Sequence, residues 1–495
     1  MPVPFKDDPV EFNGRKLLAE NVFDLLPEDH DCFIYEDILS QIDKKSIEEK
    51  YSMIGQHAYP PKRVTAILIY AYSQGIFSSR KIEQKCSQDL SFMYISHRNC
   101  PNFRVLSDFR KDNWQFFVEC FKKSVKIASN LGMVYLGHVG IDGSKFGANT
   151  LKHKAASYSH LKANEDKLKQ QIEELLKRAE NTDDAEDKIY HNGKGYSIPD
   201  DLKIKEKRLE KIKKIKKELE KREERENPKE KIDPKKQISY ADTEARIMKA
   251  KGNFEYCYNG QISVDSQNQI IVGQHLTQNA NDKNELKKAV DEIEKNTGKT
   301  PEKISADSGY RSSDNISALE ESNIDGYIAT GKGEKDISDT DKKIGIKNFS
   351  YDSKKDVFIC PASVVLKLKL SGETRVYKAE EMVCEGCSFK NKCSVKKGNT
   401  PTIYTDKSGI ILAVMAEKMK KDSSKEIYAK RKIIVEPVFG QIKTGGFRQF
   451  SLRGFEKAGG EFSLVCAVSN FKKIVNMIKA QTGCSGKRKL LLQAT

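Results

Sequence analysis

Residues 161–235 constrain the architecture more than any other stretch, because they cannot close into a globular core. They hold 22 Lys/Arg and 20 Asp/Glu. Their apolar residues fall in two thin stripes: Leu161, Leu168, Ile172 and Leu175, then Leu202, Leu209, Ile212 and Leu219. Spacings of three, four and seven share one helix face, so each stripe predicts a long helix with a narrow seam. His191-Asn192-Gly193-Lys194-Gly195 and Pro199 supply a turn between them. The expectation is an antiparallel helical hairpin over 155–240, inserted into something else.

Strand patterns lie on both sides of that hairpin. Residues 133–142 read as an apolar strand ending on Asp142, with Gly143 allowing a tight exit. Strands resume at 254–258, 261–265 and 270–273, with Asn259-Gly260 and Ser266-Gln267-Asn268 as turn signals. A helix over 283–296 follows, with Asp282 in position to cap it after Asn279 and Asn281. Residues 304–307 form a short strand ending on Asp307, then come a helix at 315–321 and a strand at 327–329. Alternation of strands and helices predicts an α/β domain over 131–478, split by the hairpin and again by a polar, Cys-rich insertion over 331–410.

Ahead of it, 1–54 reads as a lead-in. Residues 55–130 read as a helical domain opened by Pro60-Pro61, with Val64, Ile67, Leu68 and Tyr72 at helical spacing. It carries Lys62, Arg63, Arg80, Lys81, Arg104 and Arg110, so a helix-turn-helix and a plain packing domain both fit. A helix from about 410 is expected to continue past Tyr428 and Arg431 to Glu436 and Phe439, and 479–495 is a basic tail.

The 495 residues carry 87 Lys/Arg against 71 Asp/Glu, a net charge of +16, which points to a polyanionic partner such as nucleic acid. No run of about 18 apolar residues is present to span a membrane. The N-terminus has no basic stretch leading into an apolar one, so the eleven cysteines are expected reduced, in the cytoplasm. Four of them, Cys360, Cys384, Cys387 and Cys393, are spaced C-x₂₃-C-x₂-C-x₅-C, which suits a structural Zn²⁺; free thiols in a loop are the plainer alternative. No Gly-x-x-x-x-Gly-Lys-Ser/Thr phosphate-binding loop occurs.

Asp142 and Asp307 close strands, where carboxylates converge at a sheet edge, and Glu436 follows a basic, aromatic lead. Hard divalent cations take oxygen ligands, and a pair of them can clamp both oxygens of a phosphodiester displacement. Acids for metal on an otherwise basic chain suit chemistry on nucleic acid.

Three blocks carry a resemblance: Gly140-Ile141-Asp142-Gly143-Ser144-Lys145, Ser305-Ala306-Asp307-Ser308-Gly309-Tyr310-Arg311, and Val435-Glu436-Pro437-Val438-Phe439-Gly440-Gln441-Ile442-Lys443. With Gly446-Phe447-Arg448-Gln449-Phe450 and Arg453-Gly454, they resemble DDE transposases of bacterial insertion sequences, over roughly 55–478. The resemblance implies an RNase H-like core in which Asp142, Asp307 and Glu436 bind two Mg²⁺ (or Mn²⁺). It implies cleavage of transposon ends and joining of the 3′-hydroxyl to target DNA, by a homodimer bound at terminal inverted repeats. Tyr428, Arg431, Glu436 and Lys443 resemble a Tyr-Arg-Glu-Lys signature whose basic members grip phosphates; Lys432 stands at the usual offset from Glu436, and Arg431 one position farther. Arg448 and Arg453 join this DNA-binding group. The hairpin then reads as a solvated arm, or as one bracing DNA or a second copy. A catalytically silent DNA-binding descendant and an RNase H-like nuclease remain as alternatives.

Overall fold

The computed structural model describes residues 23, 26–42, 45–51, 57–150, 155–187, 200–228, 230–250, 252–330, 344–380, 383–397 and 400–482. The expected turn at His191–Gly195 and the basic residues Lys487-Arg488-Lys489 lie outside them. The chain divides into two compact units. The first draws on residues up to Ser144, Asn259–Arg448 and Gly459 onward; the second is Lys145–Tyr258 with Gln449–Ala458.

The first unit opens with helices α1 (Asp31–Ser40), α2 (Lys45–Glu48), α3 (Pro61–Ser73), α4 (Ser79–Gln88), α5 (Leu90–Ser96), α6 (Phe103–Asp112) and α7 (Trp114–Asn130). Pro61 starts α3, where its missing N–H costs nothing, and the helix is apolar nearly all round and buried accordingly. Asp89 caps α5 by accepting from Ser91 N at 3.0 Å, and Asn102 caps α6 by accepting from Arg104 N and Val105 N, each at 3.0 Å. Arg110 is buried: its guanidinium donates to Tyr72 Oη and Phe77 O, each at 2.9 Å, and to Ser79 Oγ at 2.6 Å.

The chain then runs through β1 (Val139–Gly147), β2 (Ala155–Ser157), α8 (Tyr158–Asp187), α9 (Asp200–Glu226), β3 (Gln237–Ser239), β4 (Arg246–Ala250), β5 (Asn253–Asp265), β6 (Ile271–Thr277), α10 (Leu286–Thr297), β7 (Lys303–Ala306), α11 (Ser313–Glu321) and β8 (Asp325–Ile328). In the first unit β8, β7, β1 and β5 lie side by side, and β6 pairs antiparallel with β5 from Asn259 to Val264. The pairs β1–β7 and β7–β8 are parallel. Asn259-Gly260 is not a turn: β5 runs straight through it, and the hairpin falls at 266–270.

In the second unit α8 and α9 pack as a helical hairpin. Leu161, Ile215, Leu219, Ala156 and Ile238 form its core, beside the two-stranded β2–β3 ribbon. Farther along α8, Leu168, Ile172 and Leu175 are only half-buried, as a two-helix seam allows. β4 pairs with the Asn253–Cys257 stretch of β5, and Tyr258 donates to the buried Asp242 at 2.8 Å.

Returning to the first unit, a second sheet holds β9 (Ser350–Asp352), β10 (Val357–Ile359), β11 (Val365–Leu370), β12 (Arg375–Lys378), β13 (Lys396–Lys397) and β14 (Thr400–Thr405). Its spatial order is β13-β14-β12-β11-β10-β9. Tyr351, Phe358, Leu366, Tyr377 and Ile403 form its core, with Cys360 and Cys393 packed against it. Thus the described residues between Ser350 and Thr405 form a folded β element where the sequence showed only polar residues and cysteines.

The C-terminal part is α12 (Lys407–Lys420), α13 (Asp422–Ala429), α14 (Arg431–Ile434), α15 (Glu436–Thr444) and α16 (Phe455–Thr482). The single helix expected from 410 to Phe439 is broken. Lys421 is extended, at φ −66°, ψ 138°. Val435 precedes Glu436-Pro437, where proline removes an amide donor and disfavours helix in front of it.

Candidate active site

The site begins with a strand register. Ile141 of β1 pairs in parallel with Ala306 of β7. Adjacent strands are about 4.8 Å apart, and paired residues point to the same face. Asp142 and Asp307, each one position beyond that pair, therefore stand side by side. Asp142 lies inside β1, which continues to Gly147 instead of ending on the acid. Asp307 is the first residue past β7 and caps a 3₁₀ turn over Ser308–Tyr310, its Oδ1 accepting from Gly309 N at 2.8 Å.

Helix α15 supplies the third acid. A Cβ on Gly140 would come 3.0 Å from Ile434 Cγ2, so glycine here lets the α14–α15 segment lie close on β1. Glu436 is the first residue of α15 and is half-exposed. Arg431 joins the acids: its guanidinium is 3.3 Å from Asp142 Oδ2 and 3.2 Å from Glu436 Oε1. Burial pushes the Asp142 carboxyl up to about 6; Arg431 opposes this, and the Asp307 charge adds to it.

The remaining predicted residues divide. Tyr428 lies under Arg431, whose guanidinium carbon is 5.9 Å from the ring centre. Lys443 donates to Ser144 Oγ, two positions after Asp142. Lys432 is exposed while Arg431 is buried. Arg448 is exposed, its Nε donating to Lys443 O at 3.1 Å. Arg453 belongs to the second unit, where it donates to Asn149 O at 3.1 Å. His138 is a core residue, 3.0 Å from Ser305 Oγ, and burial together with Lys430 and Lys303 pushes it down to about 4.

Sequence reasoning missed a second group beside the aspartates. Asp282 does not cap α10; Glu285 precedes that helix, and no side chain caps it. Instead Asp282 Oδ1 accepts from Asn259 Nδ2 at 2.7 Å and Gln261 Nε2 at 2.6 Å. Gln261 Oε1 in turn accepts from Tyr310 Oη. Tyr310 is raised well above the usual phenol range by burial and by the charges of Asp282, Asp142, Asp307 and Glu285, so it acts as a donor. Asn279 Nδ2 donates at 2.7 Å to the buried Glu285, which also accepts from Thr277 Oγ1 and faces His275 Nε2, each at 3.0 Å. Buried Asn and Gln inside a strand were the signal, and the Asn-Gly pattern masked it.

Carboxylate oxygens are donors of the kind hard cations take. The positive charge of Arg431 lies against Asp142 and Glu436 and is felt by Asp307, so the three acids address one region. Among the described residues, no three His, Cys, Asp or Glu side chains are gathered so as to hold a metal ion, the four cysteines included.

Fold and site together define a mixed α/β protein with one aspartate on a strand and a second just past the neighbouring strand, beside a basic helical segment. A transposase DDE domain model matches residues 359–475, from β10 into α16 and including Glu436. A transposase domain model (DUF772) matches residues 20–112, covering the helices through α6. These two matches support a DDE transposase of the insertion-sequence type. No curated protein matches it. The family comprises DNA-cutting enzymes that bind transposon DNA and generally use divalent metal ions. Among the described residues, no helix is long and apolar enough to cross a membrane.

Proposed function

We propose that this transposase cuts the ends of its own element and joins the freed 3′-hydroxyl to target DNA, on an RNase H-like core that uses Mg²⁺ or Mn²⁺. The observation that carries this reading is the Ile141–Ala306 register, which sets Asp142 beside Asp307, with Arg431 linking Asp142 to Glu436. Asp142 and Asp307 repel each other, and a bound cation relieves that repulsion. Such ions, when bound, activate the attacking oxygen and stabilise the leaving one.

The chain's own residues do the positioning. Strands β1 and β7 fix two carboxylates rigidly, and α15 brings the third. Arg431 holds Asp142 and Glu436 at a set spacing, braced by Tyr428. The exposed cations Lys432, Arg448 and Arg453, with Lys443 near Asp142, take backbone phosphates. Residues 55–130 help recognise the terminal inverted repeats, and two copies act together because two ends must be joined. The enzyme then works at the nucleoid. Cys360, Cys384, Cys387 and Cys393 are the candidate ligands of a structural zinc, which would have to draw them together. Metal analysis of the purified protein tests that part, with one zinc per chain expected.

The test of the main reading is incubation of the full chain with labelled DNA carrying the element's ends and a target duplex, with Mg²⁺ or Mn²⁺. Cleavage at the ends and joined product are expected. End binding with neither product under any divalent ion would contradict the reading.

A further inference from the structure

We propose that Asp282 is a fourth acidic member of this site: a positioning residue that braces the turns after Asp142 and Asp307 and adds its charge to their affinity for a divalent cation. The inference rests on the reading above.

Two chains of contacts lead from Asp282 to the two aspartates. One runs through Gln261, which donates to Asp282 Oδ1 at 2.6 Å and accepts from Tyr310 Oη. Tyr310 closes the turn that Asp307 caps, so Asp282 fixes that turn through one amide. The other chain ends on Gly143, next to Asp142. A Cβ there would meet Gln261 Nε2 at 2.2 Å, Asp282 Oδ1 at 2.8 Å and Asn259 Oδ1 at 3.1 Å. The network thus packs directly under the backbone that follows Asp142.

The second oxygen points elsewhere. A Cβ on Gly309 would lie 2.9 Å from Asp307 Oδ1 and 3.3 Å from Asp282 Oδ2, so these two carboxylate oxygens approach the same point. The ligand pointer is Asn259. It is fully buried, donates to Asp282 and to Asn279 O, and leaves its own Oδ1 without a partner beside Gly143. An orphaned buried carbonyl is costly for stability alone. Placed beside Gly143 and Asp282 Oδ1, next to Asp142, it is an oxygen that a cation held by that aspartate would satisfy.

Asp282→Asn separates charge from position, because an asparagine Oδ1 can still accept from Asn259 and Gln261. Mn²⁺ alone is titrated calorimetrically into the full chain, and end cleavage is followed against Mn²⁺ concentration. Asp282→Asn should weaken Mn²⁺ binding about ten-fold and move half-maximal cleavage to about ten-fold higher Mn²⁺, with excess Mn²⁺ restoring the rate. Asp282→Glu should stay within about three-fold of the unmutated protein in Mn²⁺ affinity, and thermal melts should show all variants folded. Asp282→Asn with unchanged Mn²⁺ affinity and unchanged metal dependence, in a wild type that binds and cuts, overturns the role of Asp282 alone. A wild type that neither binds Mn²⁺ nor cuts overturns the underlying reading and this inference with it.

Discussion

The Arg431 guanidinium lies 3.3 Å from the Asp142 carboxylate, and its other terminal nitrogen is 3.2 Å from Glu436. One buried cation thus links an acid carried by a strand to an acid carried by a helix. Arg431 and Lys432 are neighbours in sequence with opposite surroundings, one buried and one exposed. That division separates holding the acids from contacting DNA.

Salt dependence distinguishes the two. Each phosphate contact contributes a slope of about 0.9 in log affinity against log salt. Lys432→Ala should lower that slope by about one in end-DNA binding, whereas Arg431→Ala should leave it unchanged and abolish cleavage. Fluorescence anisotropy between low and moderate salt measures both. A lower slope for Arg431→Ala would reassign the phosphate contact to it.

Asp142 makes the metal-free protein pH-sensitive. Its carboxyl sits at about 6, raised from 3.8. A folded-state value above the unfolded one means that the folded chain favours the neutral acid. The stability it contributes is complete below about pH 4 and is lost as pH rises through 6. Asp142→Asn should therefore stabilise the EDTA-treated protein at pH 7.5 by about 1–2 kcal/mol, and much less at pH 4. Thermal melts at the two pH values check this; an identical pH dependence in both proteins would contradict it.

Gly143→Ala should cut end cleavage at least about 100-fold, since misplacing a reacting group by about 1 Å costs that much. The cause is the 2.2 Å approach of the new Cβ to Gln261 Nε2. Gly132→Ala is a poor control despite its open space, because its φ is +69°. Gly459→Ala, with nothing within 4 Å, is a sound one. Wild-type cleavage by Gly143→Ala would show that the network can move aside.

The helical part is tied down by a buried relay. Arg110 donates to Tyr72, and Tyr72 donates to Glu461 Oε1 at 2.9 Å, with Arg110 and Glu461 both buried. Glu461→Ala leaves the guanidinium without its compensating charge and should cost about 3–5 kcal/mol in urea unfolding. Glu461→Gln, which keeps a hydrogen-bond acceptor, should cost less. Equal losses for the two variants would mean that charge has no part in the relay.

How much of this could be read from sequence follows residue by residue. The apolar runs before Asp142 and Asp307 announced strands, because burial on both faces needs continuous apolar residues. The parallel pairing that brings the two acids together is long-range, and no local pattern carries it. Asn259-Gly260 looked like a turn because local turn chemistry favours that pair; here Asn259 is a buried strand residue donating to Asp282, so tertiary hydrogen bonding overrode propensity. Asp282 looked like a helix cap for the same reason, and its partners lie about 20 positions away in sequence. Pro437 in plain sight marked the helix break before Glu436, yet the apolar spacing across it suggested one continuous helix. The second sheet was hidden because its strands are short and its outward positions are lysine-rich, as in Val365–Leu370.

The most direct test of the central claim is strand cleavage by Asp142→Asn, Asp307→Asn and Glu436→Gln on labelled end DNA with Mn²⁺, with end binding measured in parallel. Each variant should bind the ends as the unmutated protein does and lose cleavage and joining by at least about 1,000-fold. Cleavage that persists in all three folded variants would contradict the assignment of these acids as the reaction centre.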